Sequence, residues 1–224
     1  MSMLSNLELL RRVPLFSALT PTQSAHIADA IVKRRFKRGE NVVEQGKKSD
    51  ALYIILTGRA RVVSSDGRGR EVIIATLHPG DYVGEMSLID DEPHSATVRT
   101  EVQTDALVLD REAFSRCLPE NSSMANNIMR GLVQRLRNAD RKIESLALMD
   151  VYGRVARSLI EFAVDDGTGD LKIRDRISRQ DLAKMVGASR EMVSRVMKDL
   201  EERGFVQTLP DGSMLVKDRL SSLT

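Results

Sequence analysis

The chain has 224 residues, 42% of them hydrophobic, and a formal net charge of +2, enough for ordinary cores in one large domain or two smaller ones without help from a metal or disulfide. Cys117 is the only cysteine, which excludes an intrachain disulfide, an iron–sulfur cluster and a thiolate zinc ribbon. The apolar runs fall far short of a membrane span, and the opening MSMLSNLELLRR carries charge where a signal peptide has its apolar stretch, so a cytoplasmic protein with no membrane partner is expected.

Thr20-Pro21-Thr22-Gln23 combines a capping hydroxyl, proline at the first helical position and glutamine three residues on, predicting a helix from there to about Val32. From Phe36 to Asp110 the rhythm changes. Short β-rich runs (51–56, 60–64, 71–76, 96–100 and 106–109) are punctuated by glycines at 39, 46, 58, 67, 69, 80 and 84, the spacing of a small antiparallel barrel or jelly roll. Asp66-Gly67 is a hairpin-turn candidate and Pro79-Gly80-Asp81 another turn.

A long helix is predicted over about 122–149. Its apolar positions Leu132, Leu136, Ala139, Ile143 and Leu146 step by 4, 3, 4 and 3, a heptad seam suited to a parallel homodimer; the other reading is a helix packed on its own barrel. Asp150 to Val164 predicts a second amphipathic helix, broken by Asp165-Asp166-Gly167-Thr168-Gly169. Beyond it come a short strand (Leu171 to Ile173), two helices (Arg179 to Val186 and Arg190 to Arg203) and a hairpin (Phe205 to Leu209, Ser213 to Val216) turned at Pro210-Asp211-Gly212, the layout of a winged helix-turn-helix. The fold class is therefore α+β, with a β-rich domain over 1–120, a dimerisation helix over 121–149 and a winged helix-turn-helix over 150–224.

Charge is unevenly placed. Arg176 to Lys198 holds six basic residues and two acids, a local +4, whereas Glu85 to Glu92 holds four acids and no base, so the two ends want different partners. In the helix-turn-helix, Leu182, Ala183 and Val186 bury the first helix, Gly187 makes the turn, and Val193, Val196, Met197 and Leu200 bury the second. The second helix then exposes Ser189, Arg190, Glu191, Ser194, Arg195 and Lys198, suited to a major groove where arginine pairs with guanine O6 and N7 and glutamate accepts from cytosine N4. A plain solvated charged face is the alternative.

These residues, with GDYVGEMSL (Gly80 to Leu88) and MDVYGRVA (Met149 to Ala156), resemble the cyclic-AMP receptor protein and fumarate-nitrate regulator superfamily over essentially the whole chain. The resemblance implies a cyclic-nucleotide-binding β-roll of jelly-roll type, a long dimerisation helix and a winged helix-turn-helix, acting on double-stranded DNA as a transcription regulator with RNA polymerase as a further partner. It implies base contacts from Arg190, Glu191 and Arg195, and backbone or nearby contacts from Ser178, Arg179, Gln180, Ser189 and Lys198, on a palindrome of TGTGA-like half-sites. Met192 departs from the pattern, standing where a hydroxyl reaches a phosphate in relatives.

The same resemblance places a nucleotide effector against Gly84, Glu85, Met86 and Ser87 and, after Pro93, against His94, Ser95 and Ala96. Glu85 and Ser95 match the family's pattern, with Glu85 to accept from a ribose hydroxyl; His94 stands where the family has a phosphate-pairing arginine, and Asp90, Asp91 and Glu92 beside it are expected to raise its pKa. On the long helix, Ala139 and Asp140 replace adenine-contacting hydroxyls, while Arg137 and Asp140 form an R-x-x-D pair able to read guanine in cyclic-di-GMP, or else a plain exposed i,i+3 ion pair. Cyclic AMP and cyclic-di-GMP both stay open as effectors, as does a regulator that needs none.

Other chemistries are poorly supplied. His26, His78 and His94 are scattered, which disfavours haem ligation and a cupin-type metal enzyme. No nucleophile–base pair or Walker-type loop is present, so neither a catalytic residue nor a metal or redox cofactor is expected, and a β-barrel enzyme is the remote alternative.

Overall fold

A computed structural model describes residues 6–11, 13–17, 19–120, 122–165, 171–217 and 220. The chain divides into two compact units, Met1–Arg135 and Leu136–Thr224.

The first unit opens with helix α1 (Asn6–Leu10), a 3-10 turn at Pro14–Phe16 and helix α2 (Pro21–Ala30). The capping box forms as expected: the Gln23 N–H donates to Thr20 Oγ1 at 3.3 Å and the Thr20 N–H to Gln23 Oε1 at 3.0 Å. The helix stops at Ala30, short of the expected Val32, because Val32–Phe36 departs as strand β1. Then follow β2 (Asn41–Val43), β3 (Ala51–Thr57), β4 (Ala60–Ser65), β5 (Glu71–Leu77), β6 (Tyr82–Val83), helix α3 (Glu85–Asp90), β7 (Thr97–Thr100), β8 (Thr104–Asp110) and helices α4 (Arg111–Glu120) and α5 (Ser122–Leu148).

The strands make two antiparallel sheets, ordered β1-β8-β3-β6 and β2-β7-β4-β5, which share a core of Phe36, Val43, Tyr53, Ile55, Leu77 and Val98. A second core lies between the roll and the helices, where Phe16, Ile27, Phe114, Met124 and Ile128 meet Leu52, Ile54, Leu107 and Leu109. Strand β3 serves both cores, Leu52 and Ile54 toward the helices and Tyr53 and Ile55 into the roll. A strand covered on both faces reads as a continuous apolar run rather than an alternating one. The β4–β5 turn is longer than the Asp66-Gly67 pair implied: Asp66 Oδ1 accepts from the N–H groups of Arg68 and Arg70, and the positive φ falls on Gly69 at +75°.

The second unit takes the rest of α5, then α6 (Val151–Phe162), β9 (Val164–Asp165), β10 (Leu171–Ile173), α7 (Arg179–Val186), α8 (Arg190–Glu202), β11 (Val206–Thr208) and β12 (Met214–Val216). Asp150 caps α6 by accepting from the Gly153 N–H at 2.8 Å. Helix α6 ends at Phe162, not Val164, which pairs as β9; the expected break over 165–169 lies, beyond Asp165, outside the described residues. The sheet runs β11-β12-β10-β9 and packs with the three helices on Val155, Leu159, Ile173, Leu182, Val193 and Met197.

Candidate functional site

Local capping chemistry sets the geometry of α7 and α8. Ser178 caps α7 by accepting from the Asp181 N–H at 3.0 Å, and Ser189 caps α8 by accepting from the Met192 N–H at 3.2 Å. Both hydroxyls therefore have structural work irrespective of any ligand. Between the helices Gly187 adopts φ +66°, the left-handed C-cap that a β-carbon disfavours.

Arg190, Glu191, Ser194, Arg195 and Lys198 are all exposed on α8. Arg195 pairs with Glu191 one turn earlier and Lys198 approaches Glu202 at 3.6 Å, contacts that water screens and that break at little cost. Ser194 donates its hydroxyl to the Arg190 carbonyl at 2.8 Å. Arg190 has no acidic partner among the described residues. Gln180 is exposed, whereas Arg179 is half-buried and bonded to Glu201 Oε1 at 3.1 Å; the same oxygen accepts from the Thr208 hydroxyl at 2.8 Å. Glu201 thus ties the head of α7 to the first wing strand, a role no local pattern in the sequence announces. Arg176, Ser178, Arg179 and Arg190 line a cleft of about 650 Å³ closed on one side by Asp211 and Gly212 of the wing.

At the other end, Gly84 has φ +102° and lies so close to the Ala51 carbonyl that no β-carbon fits. It delivers Glu85 to the first turn of α3 with 1% of its surface exposed. Glu85 Oε1 pairs with Arg135 of α5, which also donates to the Tyr82 carbonyl and stacks over the Tyr82 ring at 5.1 Å. Glu85 Oε2 is buried without a partner among the described residues. Burial pushes the Glu85 carboxyl upward, against the pull of Arg135. Nothing in the sequence singles out Arg135: its partner lies 50 positions away, beyond any periodicity.

His94 is also buried. Its Nε2 meets the Ser49 hydroxyl at 2.7 Å and its Nδ1 the Ser87 hydroxyl at 3.1 Å, while Ser87 donates to the Glu92 carbonyl at 2.6 Å. With the Ser87 proton so directed, its oxygen accepts from Nδ1–H, and Nε2 accepts from Ser49. The ring is thereby satisfied as a neutral tautomer. The expected rise in its pKa is overturned: burial lowers it. The acids expected to raise it turn elsewhere, for Asp90, Asp91 and Glu92 are exposed and Asp91 pairs with Lys48 and Arg111, each at 3.2 Å. Met86 and Ser95 are exposed and Ala96 is buried. Arg137 and Asp140 stand exposed on α5 in the second unit, with no ion pair between them.

Along α5, Leu136, Ala139, Ile143 and Leu146 are exposed. Leu132 instead packs against the core of the first unit, and Met129 and Val133 are the exposed apolar residues of that stretch. Leu146 reaches the turn glycine, its Cδ2 lying 3.4 Å from where a β-carbon on Gly187 would stand. Among the described residues, no cluster of His, Cys, Asp or Glu could hold a metal ion and no helix is long and apolar enough to cross a membrane.

Comparison with known proteins gives a match to the cyclic nucleotide-binding domain over residues 33–121 and to the Crp-like helix-turn-helix domain over 153–220. The chain is 30% identical over 214 residues to the CRP-like cAMP-activated global transcriptional regulator of Mycobacterium tuberculosis, covering 94% of this chain and 95% of that one. It is 33% identical over 205 residues to the cyclic AMP receptor protein of Thermus thermophilus, covering 92% and 93%. Among solved structures, the c-di-GMP responsive global regulator CLP of Xanthomonas campestris superposes with a TM-score of 0.71 at 25% identity, over 88% of this chain and 99% of that one.

Proposed function

We propose, from the premise that this chain belongs to the cyclic-AMP receptor protein and fumarate-nitrate regulator superfamily of transcription regulators, that it is a homodimeric, sequence-specific DNA-binding regulator controlled by a cyclic nucleotide. The observation that carries this reading is the start of α8, where Arg190, Glu191 and Arg195 stand exposed behind the capping Ser189 on a helix whose opposite face buries Val193, Met197 and Leu200. Arg190 and Arg195 then read guanines and Glu191 a cytosine in TGTGA-like half-sites. Ser178, Arg179, Gln180, Ser189, Ser194 and Lys198 set the docking on the backbone.

Residues 1–120 serve as sensor, 121–149 as dimerisation helix and 150–224 as reader. The exposed stripe on α5, Leu136, Ala139, Ile143 and Leu146 with Met129 and Val133, pairs with its copy in a second chain, and Leu132 supports it from within its own unit. Effector bound against Glu85 favours one register of that pairing, and only a spacing of about 34 Å lets both recognition helices enter successive grooves. The regulator acts in the cytoplasm, with RNA polymerase as downstream partner; no catalytic role is proposed.

The effector is cyclic AMP or cyclic-di-GMP, held by Gly84, Glu85, Met86, Ser87, His94, Ser95 and Ala96, with Arg137 and Asp140 added for guanine. Calorimetry with each nucleotide separates the two, since only cyclic-di-GMP binding is abolished by Arg137→Ala or Asp140→Ala. A second reading has its own support: with both His94 nitrogens occupied by serines, the pocket lacks the phosphate clamp and the dimer binds DNA unaided. His94→Arg tightening cyclic AMP would speak for the gated form. The decisive test of the whole reading is a mobility shift on TGTGA palindromes against scrambled duplex, across salt and with each nucleotide. Selective, salt-dependent binding is expected; no binding to either duplex overturns it. Ile143→Lys is expected to weaken the dimer by at least ~100-fold in sedimentation, since each seam then buries two charges.

A further inference from the structure

Gly131 lies well inside α5, where glycine weakens a helix relative to alanine. A close approach from the roll accounts for it. A β-carbon at this position would collide with the hydroxyl oxygen of Tyr82 in β6. That hydroxyl fills the notch and donates to the helix backbone, its proton shared between the Ile128 carbonyl at 3.3 Å and the Asn127 carbonyl at 3.5 Å. Tyr82 is buried, so its ring has no solvent side to swing into.

Two further contacts fall on the same face of α5, four residues to either side. Asn127 donates its amide to the Pro14 and Leu15 carbonyls at 3.3 and 3.2 Å. Arg135 donates to the Tyr82 carbonyl, lies over the Tyr82 ring and pairs with Glu85. Residues 127, 131 and 135 thus fasten successive turns of α5 to the first unit, while Met129 and Val133 are exposed on the other side of those turns. Asn127 and Arg135 carry side chains where Gly131 has none, so no second notch lies a turn away along this face. Glu85 Oε2, buried without a partner among the described residues, can accept a ligand hydroxyl. Such a bond competes with Arg135 for the carboxylate, and the other bond of that guanidinium is to Tyr82.

We propose that Tyr82, keyed into Gly131, is a positioning residue that fixes how far along its axis α5 sits against the roll, and that a cyclic nucleotide at Glu85 acts on the α5 seam by shifting this key. The inference rests on the cyclic-nucleotide reading above. A rigid ring in a single notch gives discrete helix positions rather than a continuous slide, which is what a two-state seam requires.

The test is fluorescence anisotropy of the full chain on a TGTGA palindrome, with and without saturating cyclic AMP or cyclic-di-GMP; the ratio of the two affinities is the response. Gly131→Ala sets a methyl against the hydroxyl and is expected to cut the response by at least about fivefold. Tyr82→Phe keeps the ring and loses only the hydrogen bond, for a smaller cut of about two- to fivefold. In the double variant the methyl faces the ring carbon Cζ, 3.1 Å away, a crowding that a small shift relieves. The response should then recover to that of Tyr82→Phe alone, a non-additivity that two independent losses of stability do not produce. Labelling with 3-fluorotyrosine gives a direct signal: of the three tyrosine resonances, the one missing from Tyr82→Phe should move when nucleotide is added. A full response in Gly131→Ala, additive losses in the double variant or an unmoved Tyr82 resonance overturns the key and leaves the nucleotide reading standing. Equal affinity of the unaltered chain with and without either nucleotide overturns the nucleotide reading and the key with it.

Discussion

On α8, Arg190, Glu191, Arg195 and Lys198 are exposed, and their only ion pairs among the described residues are one-turn contacts in water. Around α3, Glu85, Ser87 and His94 are buried, and each is bonded to another group of the same chain. The two regions carry similar polar residue types but differ in what must be given up when a ligand arrives. Surface pairs are worth little, so a nucleic acid displaces them freely. Buried polar groups have lost their water, so a ligand at the sensing end must replace every bond it breaks.

The contrast is sharpest at Arg135 and Arg190. Removing Arg135 as Arg135→Met leaves Glu85 buried and alone, and is expected to cost about 2–3 kcal/mol of folding stability, somewhat below a fully buried pair because Arg135 itself is partly exposed. The loss has a pH signature. Burial already raises the Glu85 pKa in the folded chain, so its favourable contribution is complete below the unfolded value and is lost as pH rises through the folded one. Without Arg135 that folded value climbs further, so urea denaturation should show a larger deficit at pH 8 than at pH 5. Equal deficits would place Arg135 outside the pair.

Arg190→Ala should do the reverse. Folding stability is expected to stay within about 0.5 kcal/mol, since the side chain is exposed, while binding to the preferred palindrome drops by ~1–3 kcal/mol with blurred preference at one base pair. Unchanged selectivity would remove Arg190 from the base readers and blur the distinction between the two ends.

The smallest effect belongs to His94. Burial holds its folded pKa below the ordinary histidine value of 6.5, so the stability it contributes is present above about 6.5 and is lost as pH falls toward the lower folded value. As pH falls from 7 to 5 the chain should lose stability through this group. In His94→Gln that part of the pH profile should flatten; an identical profile would show that the imidazole takes up its proton equally in the folded and unfolded chain.

The reading end is legible in the sequence because its determinants are local. Ser178, Ser189 and Gly187 sit within one turn of the helix ends they define, and α7 and the core strands β3 to β5 appear within a residue or so of expectation. Strand β1 escapes the pattern because Val32-Lys33-Arg34-Arg35 is almost wholly exposed, and charged side chains on an outer strand leave no alternation to read. Leu132 and Val133 differ by one position, yet the first joins a core and the second faces outward; a heptad count alone cannot place such a boundary residue. The sensing end is less legible, since Arg135 with Glu85 and Ser49 with His94 join positions 50 and 45 apart. Residue types tell which groups are present there, but only the folded chain tells which are already satisfied.

Glu201 offers one oxygen to both Arg179 and Thr208, so the head of α7, the tail of α8 and the first wing strand are fastened at a single atom. A surface braced in this way has little freedom to mould itself to an unfavourable groove. The double helix must supply the adjustment, and its stiffness varies with base step. On the proposed function, base pairs lying between the half-sites are then expected to be ranked by how readily they bend, with differences of up to a few kcal/mol.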